Sequence, residues 1–159
     1  MSRFRLLTIV SAISVALDQA TKLHIDYHFD LHESVPVIPG LFSLTYIRNQ
    51  GAAFGILSDS SIRVPFFIGV SILAMLGILL FLKKRNNEQK LGNLGLALVF
   101  SGAAGNLIDR LRLGEVIDFL DVYWRSYHWP AFNVADSAIT VGVALLIYEA
   151  WIEEKHKHS

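Results

Sequence analysis

Apolar residues fall in four long runs, at 5–25, 64–82, 91–108 and 134–151, and most charged residues lie between or beyond them. The first run is uncharged from Leu6 to Leu17 and takes in Asp18 and Lys22 near its end. The second and third contain no Asp, Glu, Lys or Arg, and the fourth contains only Asp136 and Glu149. A bilayer span needs about 20 mostly apolar residues, so all four runs are long enough. The pattern predicts a membrane protein, mainly α: one domain over residues 1–159 built as a bundle of four transmembrane helices. The opening MSRFR followed by LLTIVSAISVAL also has the outline of a signal peptide, but its small-residue cleavage pattern is poor.

The segments 26–63 and 109–133 carry a different period. In LFSLTYIRN (41–49), Phe42, Leu44 and Tyr46 alternate with Ser43 and Thr45, the signature of a half-buried strand. Pro39–Gly40 is a turn signal just before it. A second strand is expected over 116–124, so a small β-sheet should lie on one membrane face. SDSS (58–61) offers N-cap residues for the second span.

Charge orients this plan. Arg3 and Arg5 precede the uncharged part of the first run, Lys83, Lys84, Arg85 and Lys90 fill the link between the second and third, and Lys155 and Lys157 follow the fourth. The positive-inside rule places these segments, and both termini, in the cytoplasm. Segments 26–63 and 109–133 are then extracytoplasmic, although they hold five arginines. Alternating span direction brings Asp18, Lys22, Asn49, Gly51, Asn106, Asp109, Arg110, Asp118, Asn133 and Asp136 to one level, the outer membrane boundary. Ionisable groups at membrane depth normally face a bundle interior or a water-filled cavity, which favours one shared polar pocket.

Composition removes several chemistries. The net charge is zero, which gives no case for nucleic acid, and the absence of cysteine excludes disulfides, thiol catalysis and thiolate metal sites. No serine sits in a G-x-S-x-G elbow. His24, His28 and His32 recur every four residues and on a helix could ligate zinc, as in a zinc intramembrane protease. HIDYH, however, has its acid at the wrong position for a zincin. A small transporter or channel is the other alternative; it would need polar residues continuing to the cytoplasmic end, where Glu149 stands nearly alone.

Structural readings compete at each polar position. NVAD (133–136) has the form of a capping box, with Asn133 as N-cap and Asp136 at N3, which accounts for Asp136 as well as catalysis does. Asp118, among Val116, Ile117, Phe119 and Leu120, reads equally as a strand residue facing water. Asp109 and Arg110 are expected to form an ion pair closing the third span. Asp18 and Lys22, four apart, suit a stabilising pair on one helix face. Ala97, Ser101 and Gly105 form a small-residue stripe suited to close helix packing.

Taken in order, DQATK (18–22), RNQGAAFG (48–55), SGAAGNLIDR (101–110), VIDF (116–119) and FNVADSAI (132–139) resemble bacterial lipoprotein signal peptidase, signal peptidase II. The resemblance covers nearly the whole chain. Ser101–Gly102 stands where the family often has two glycines, which touches helix packing and no catalytic role. The resemblance implies a four-span inner-membrane aspartic endopeptidase without metal or cofactor, with Asp118 and Asp136 as its catalytic dyad. It implies that Asp18, Lys22, Asn49, Gly51, Asn106, Asp109, Arg110, Asn133 and Ala135 bind substrate or support the site. It further implies prolipoprotein substrates carrying diacylglycerol on the lipobox cysteine, cleavage just before that cysteine, contact with membrane lipid, and inhibition by globomycin. Two close carboxylates cannot easily both ionise, and Asp136 at a helix N-terminus is the one expected to keep its charge and act as base.

Overall fold

The computed structural model describes residues 1–51 and 62–157. In chain order these form α1 (Arg3–His28), β1 (Ser34–Ile38), β2 (Phe42–Asn49), α2 (Arg63–Lys84), α3 (Lys90–Leu113), β3 (Val116–Trp124), β4 (Tyr127–His128) and α4 (Val134–Lys157). Among the described residues four helices are long and apolar enough to cross a membrane, and they contain the four expected runs. Each extends past its run by one to six residues at its ends. Thus 109–113, expected to begin the second outer segment, complete α3, which stops at Gly114 in a left-handed conformation. Ser2 caps α1 by accepting from the Arg5 N–H. The expected capping residues 58–61 of α2 lie outside the described residues.

α3 packs against all three other helices and is the most buried of the four. Its approach to α4 is close enough that a Cβ on Gly95 would lie 2.8 Å from the Gly142 carbonyl oxygen. Ala97, Ser101 and Gly105 are indeed buried, but Gly95 and Gly102, off that stripe, make the tightest backbone approaches to α4. The outward helix faces carry bare apolar side chains such as Ile13, Leu73 and Ile147, as lipid-facing surfaces must.

The sheet is antiparallel with order β1-β2-β3-β4. β2 and β3 fall where the alternation predicted them. β1 and β4 were not expected: β1 is exposed throughout and contains Pro36, and β4 has two residues. In β2 the alternation holds only in part, since Ser43 is buried beside Tyr46. The reason is a bulge: Leu44 pairs with Leu120 and Ile47 with Asp118, so two residues of β2 face one of β3. The bulge switches the parity of β2 and brings Asn49 onto the sheet face that carries Asp118. A core of Ile25, Tyr46, Ile117 and Phe119 fastens the sheet to α1.

Candidate active site

Three helix ends and two strands converge beneath the sheet. Lys22 is fully buried on α1, where its ammonium meets Asp18 Oδ2 and Asp109 Oδ2, each at 2.9 Å, and donates to Asn106 Oδ1 at 3.0 Å. All three of its donors are therefore used, and two carboxylates surround one ammonium away from water. The pair Asp18–Lys22 forms as the four-residue spacing predicted. The pair Asp109–Arg110 does not. Adjacent residues on a helix point in different directions, so Asp109 turns inward to Lys22 while the Arg110 guanidinium lies over the Phe67 ring, 5.1 Å from its centroid.

This buried cluster positions α4. Asp18 Oδ1 accepts from the Ala135 N–H at 2.9 Å, in the first turn of α4. Asp109 Oδ2 accepts from the Ile117 N–H at 3.2 Å and so ties α3 to the start of β3. Gln19 joins them, donating from Nε2 to Asp109 Oδ1 at 3.0 Å, Asp18 Oδ2 at 3.1 Å and the Gly105 carbonyl at 3.2 Å. Sequence reasoning passed over Gln19; its place between Asp18 and Lys22 was the available signal, but its helical position turns it off the Asp18–Lys22 line.

Asn133 links the two candidate catalytic aspartates. Its Nδ2 donates to Asp118 Oδ1 at 2.7 Å, its backbone N–H reaches Asp136 Oδ2 at 3.3 Å, and its Oδ1 accepts from the Asp136 N–H at 2.9 Å. The last two bonds are the reciprocal capping box that NVAD suggested. Strand geometry delivers Asn133 there: Phe132 bridges to Leu120, so the next residue arrives beside Asp118. On the other side of β3, Asn49 Nδ2 donates to Asp118 Oδ2 at 2.7 Å. Gly51 orients that amide, donating its N–H to Asn49 Oδ1 at 2.8 Å from a backbone φ of 84° that favours glycine. Asn106 completes the ring. Its oxygen is held by Lys22 and Asn133, which turns its Nδ2 toward Asp136 Oδ1 at 2.8 Å.

The two aspartates sit in unlike surroundings. Asp118 is buried, with 2% of its surface exposed, and burial raises its carboxyl to about 7. Hydrogen bonds from Asn49 and Asn133 oppose that rise, and the charge of Asp136 adds to it. Asp136 lies in the first turn of α4 and opens onto a groove of about 540 Å³ lined by Trp129, Pro130, Phe132, Ser137 and Val141. One carboxyl able to hold a proton near neutrality, beside a second at a helix N-terminus, is the arrangement needed for acid–base activation of water.

The rival constellations do not assemble. α1 ends at His28, and His32 adopts a left-handed backbone in the following turn, so the three histidines share no helix face. At the far end, Glu149 pairs with Arg85 and accepts from the Gly92 N–H. The thirteen residues from Asp136 to Glu149 put these clusters about 20 Å apart along the helix, with an apolar layer of Leu7, Leu82, Leu96 and Ala97 in the bundle. Among the described residues no buried ionisable side chain connects them.

Known proteins resemble this chain over nearly its whole length. A family model described as Signal peptidase (SPase) II matches residues 10–152. The chain is 60% identical to the lipoprotein signal peptidase of Geobacter sulfurreducens over 154 residues, covering 97% of this chain and 96% of that one. It is 56% identical to the lipoprotein signal peptidase of Geobacter metallireducens over 154 residues, covering 97% and 95%. A solved structure of a bacterial membrane enzyme, obtained by the in meso method, matches with a TM-score of 0.85 and 35% identity over 96% of this chain and 91% of that chain.

Proposed function

Because the chain belongs to the signal peptidase II family, a family of membrane proteases, we propose that it removes the signal peptide from lipid-modified prolipoproteins by aspartic catalysis. Asp118 and Asp136 are the catalytic pair. Ionised Asp136 takes a proton from water, and the resulting hydroxide attacks the scissile carbonyl. Protonated Asp118 donates to the carbonyl oxygen as the tetrahedral intermediate forms. Collapse of the intermediate breaks the C–N bond, with the proton held by Asp136 passing to the departing amine. As the carbonyl re-forms, a hydroxyl of the intermediate returns its proton to Asp118, so one water is consumed and both carboxyls recover their starting states. The observation that carries this reading is Asn133, which bonds both aspartates at once and holds them in one frame.

The position of the site supports a lipid-modified substrate. The groove beside Asp136 runs along α4 among apolar and aromatic side chains, a surface suited to a chain whose lipid anchor holds the scissile bond at the membrane boundary. The basic residues at the opposite helix ends support a site on the extracytoplasmic side of the bacterial inner membrane, with both termini in the cytoplasm. Globomycin-type inhibitors would occupy the same groove.

The test is processing by purified protein of a prolipoprotein with and without its diacylglyceryl group, with chelator and with globomycin. Cleavage confined to the modified substrate, unaffected by chelator and blocked by globomycin, is expected. Equal cleavage of both substrates would remove the lipid requirement, and loss of activity with chelator would remove the metal-free mechanism.

A further inference from the structure

A second cavity, of about 210 Å³, lies at the opposite end of the bundle, where α1 and α3 both begin. Arg3, Asn87, Lys90 and Asn93 form its polar walls, and Leu6 and Leu94 its apolar ones. No Asp or Glu lines it among the described residues. Of the carboxylates around the start of α3, Glu149 is engaged by Arg85 and the Gly92 N–H and Glu153 accepts from Gln89, and neither these nor Glu88 lines the cavity. Arg3 spends one guanidinium nitrogen on the Lys83 carbonyl at 3.2 Å, while its buried Nε–H has no partner. The first turn of α1 carries no acid to offset the positive end of its dipole. The cavity is thus short of negative charge, with a donor in place for an anion.

Its apolar side continues into a groove. Leu94 also lines a neighbouring apolar cleft of about 440 Å³, walled by Val10, Ile13 and Leu17 of α1, Leu98 of α3, and Ala138 and Val141 of α4. A cationic, amide-rimmed pocket that shares one leucine with an apolar cleft between helices has the form of a headgroup and its acyl chain. Lys83, Lys84 and Arg5 add positive charge at the same end of the bundle.

We propose that this cavity binds one anionic phospholipid, its phosphate between Arg3 and Lys90 and an acyl chain in the cleft that α1, α3 and α4 form beyond Leu94. Basic pockets between membrane helices recognise anionic headgroups by the same charge and donor chemistry. Arg3 and Lys90 stand apart from the aspartates, while the α4 wall of the cleft reaches Ser137 and Val141 of the groove beside Asp136; the phosphate is held by groups that the reaction proposed for the aspartates does not use.

Native mass spectrometry of the full purified chain tests it, with phosphatidylglycerol or phosphatidylcholine added in neutral detergent. One phosphatidylglycerol is expected to stay bound, with little phosphatidylcholine. Lys90→Gln should weaken retention about fivefold, and Arg3→Gln with Lys90→Gln by more than an order of magnitude. The Lys90 ammonium holds no other described residue, so that single variant keeps the fold; its unfolding temperature without lipid checks this. Leu94→Trp, which fills the passage and leaves every charge, should also abolish retention. Equal retention of the two lipids, or undiminished phosphatidylglycerol on the double variant, would overturn the proposal. Displacement of the lipid by millimolar inorganic phosphate would overturn it in favour of a free-anion site.

Discussion

The side-chain amide of Asn133 donates to Asp118 Oδ1 at 2.7 Å from the capping position of the helix that carries Asp136. One residue therefore performs two tasks, starting α4 and fixing the second carboxyl relative to the first. Asn133→Ala should lose both. A lost cap costs about 0.5–2 kcal/mol, so the unfolding temperature in detergent should fall. Without this donor the Asp118 carboxyl should rise further, moving the alkaline limb of the rate profile to higher pH. A drop in rate with an unmoved limb would show that Asn133 acts only as a cap.

Asp118 gives the pH dependence its sign. Its carboxyl is raised from the ordinary 3.8 to about 7 in the fold. The associated stability is fully present below pH 4 and is lost as pH rises towards 7, because the unfolded chain ionises there while the folded chain does not. Asp118→Asn should therefore stabilise the protein relative to wild type more at pH 8 than at pH 4, by up to about 4 kcal/mol. Activity should decline as pH rises through about 7, when the acid loses its proton; the limb belongs to the coupled pair. Thermal unfolding and initial rates across this range check both statements.

Lys22 is the charge that makes two buried carboxylates tolerable. Lys22→Met would leave Asp18 and Asp109 facing each other without a cation. Removing one partner of a buried ion pair costs about 3–5 kcal/mol, so folded yield should collapse. Asp109→Asn is milder, since the one amide oxygen can still accept from the Ile117 N–H and Lys22 while only the bond from Gln19 is lost. Lowered yield with part of the activity kept in the folded fraction is expected, measured as rate per folded protein after gel filtration.

Gly105 leaves room for that cluster. A Cβ there would fall 2.6 Å from Asp18 Oδ2 and 3.2 Å from the Ala135 Cβ. Gly105→Ala should destabilise by about 1–3 kcal/mol, the usual range for overpacking. It should also lower the rate, because Asp18 holds the first turn of α4. Wild-type stability and rate would show that the α1–α3 contact is looser than described.

The spans were legible because their apolar runs are long and β2 because its side chains alternate. β1 was not: Pro36 interrupts it, and all five residues are exposed, so no buried face leaves a trace. The bulge in β2 was equally hidden, being fixed by the pairing of Leu44 with Leu120 and Ile47 with Asp118 rather than by a residue type. Convergence of Asp18, Lys22, Asn106, Asp109, Asn133 and Asp136 followed from span direction alone. What each one touches did not. Asp109 was assigned to Arg110 because the two are neighbours in sequence, whereas its partner Lys22 comes from a different helix. Asn133 was legible as a cap, and its bond to Asp118 depends on the Leu120–Phe132 bridge, which sequence spacing does not reveal.

The most direct measurement is the processing rate of lipid-modified prolipoprotein by Asp118→Asn, Asp136→Asn and the double variant, each purified and shown to be folded. Asparagine keeps the shape and an acceptor oxygen but can neither take the proton of water nor supply an acidic one. Each single variant should lose activity by at least the ~10²–10⁴-fold typical of general acid–base catalysis. The double variant should be little worse than either, because the pair acts as a unit. Were Asp136 only a cap, asparagine would replace it with little loss. Near-normal turnover by folded Asp118→Asn or Asp136→Asn protein would contradict the aspartic mechanism.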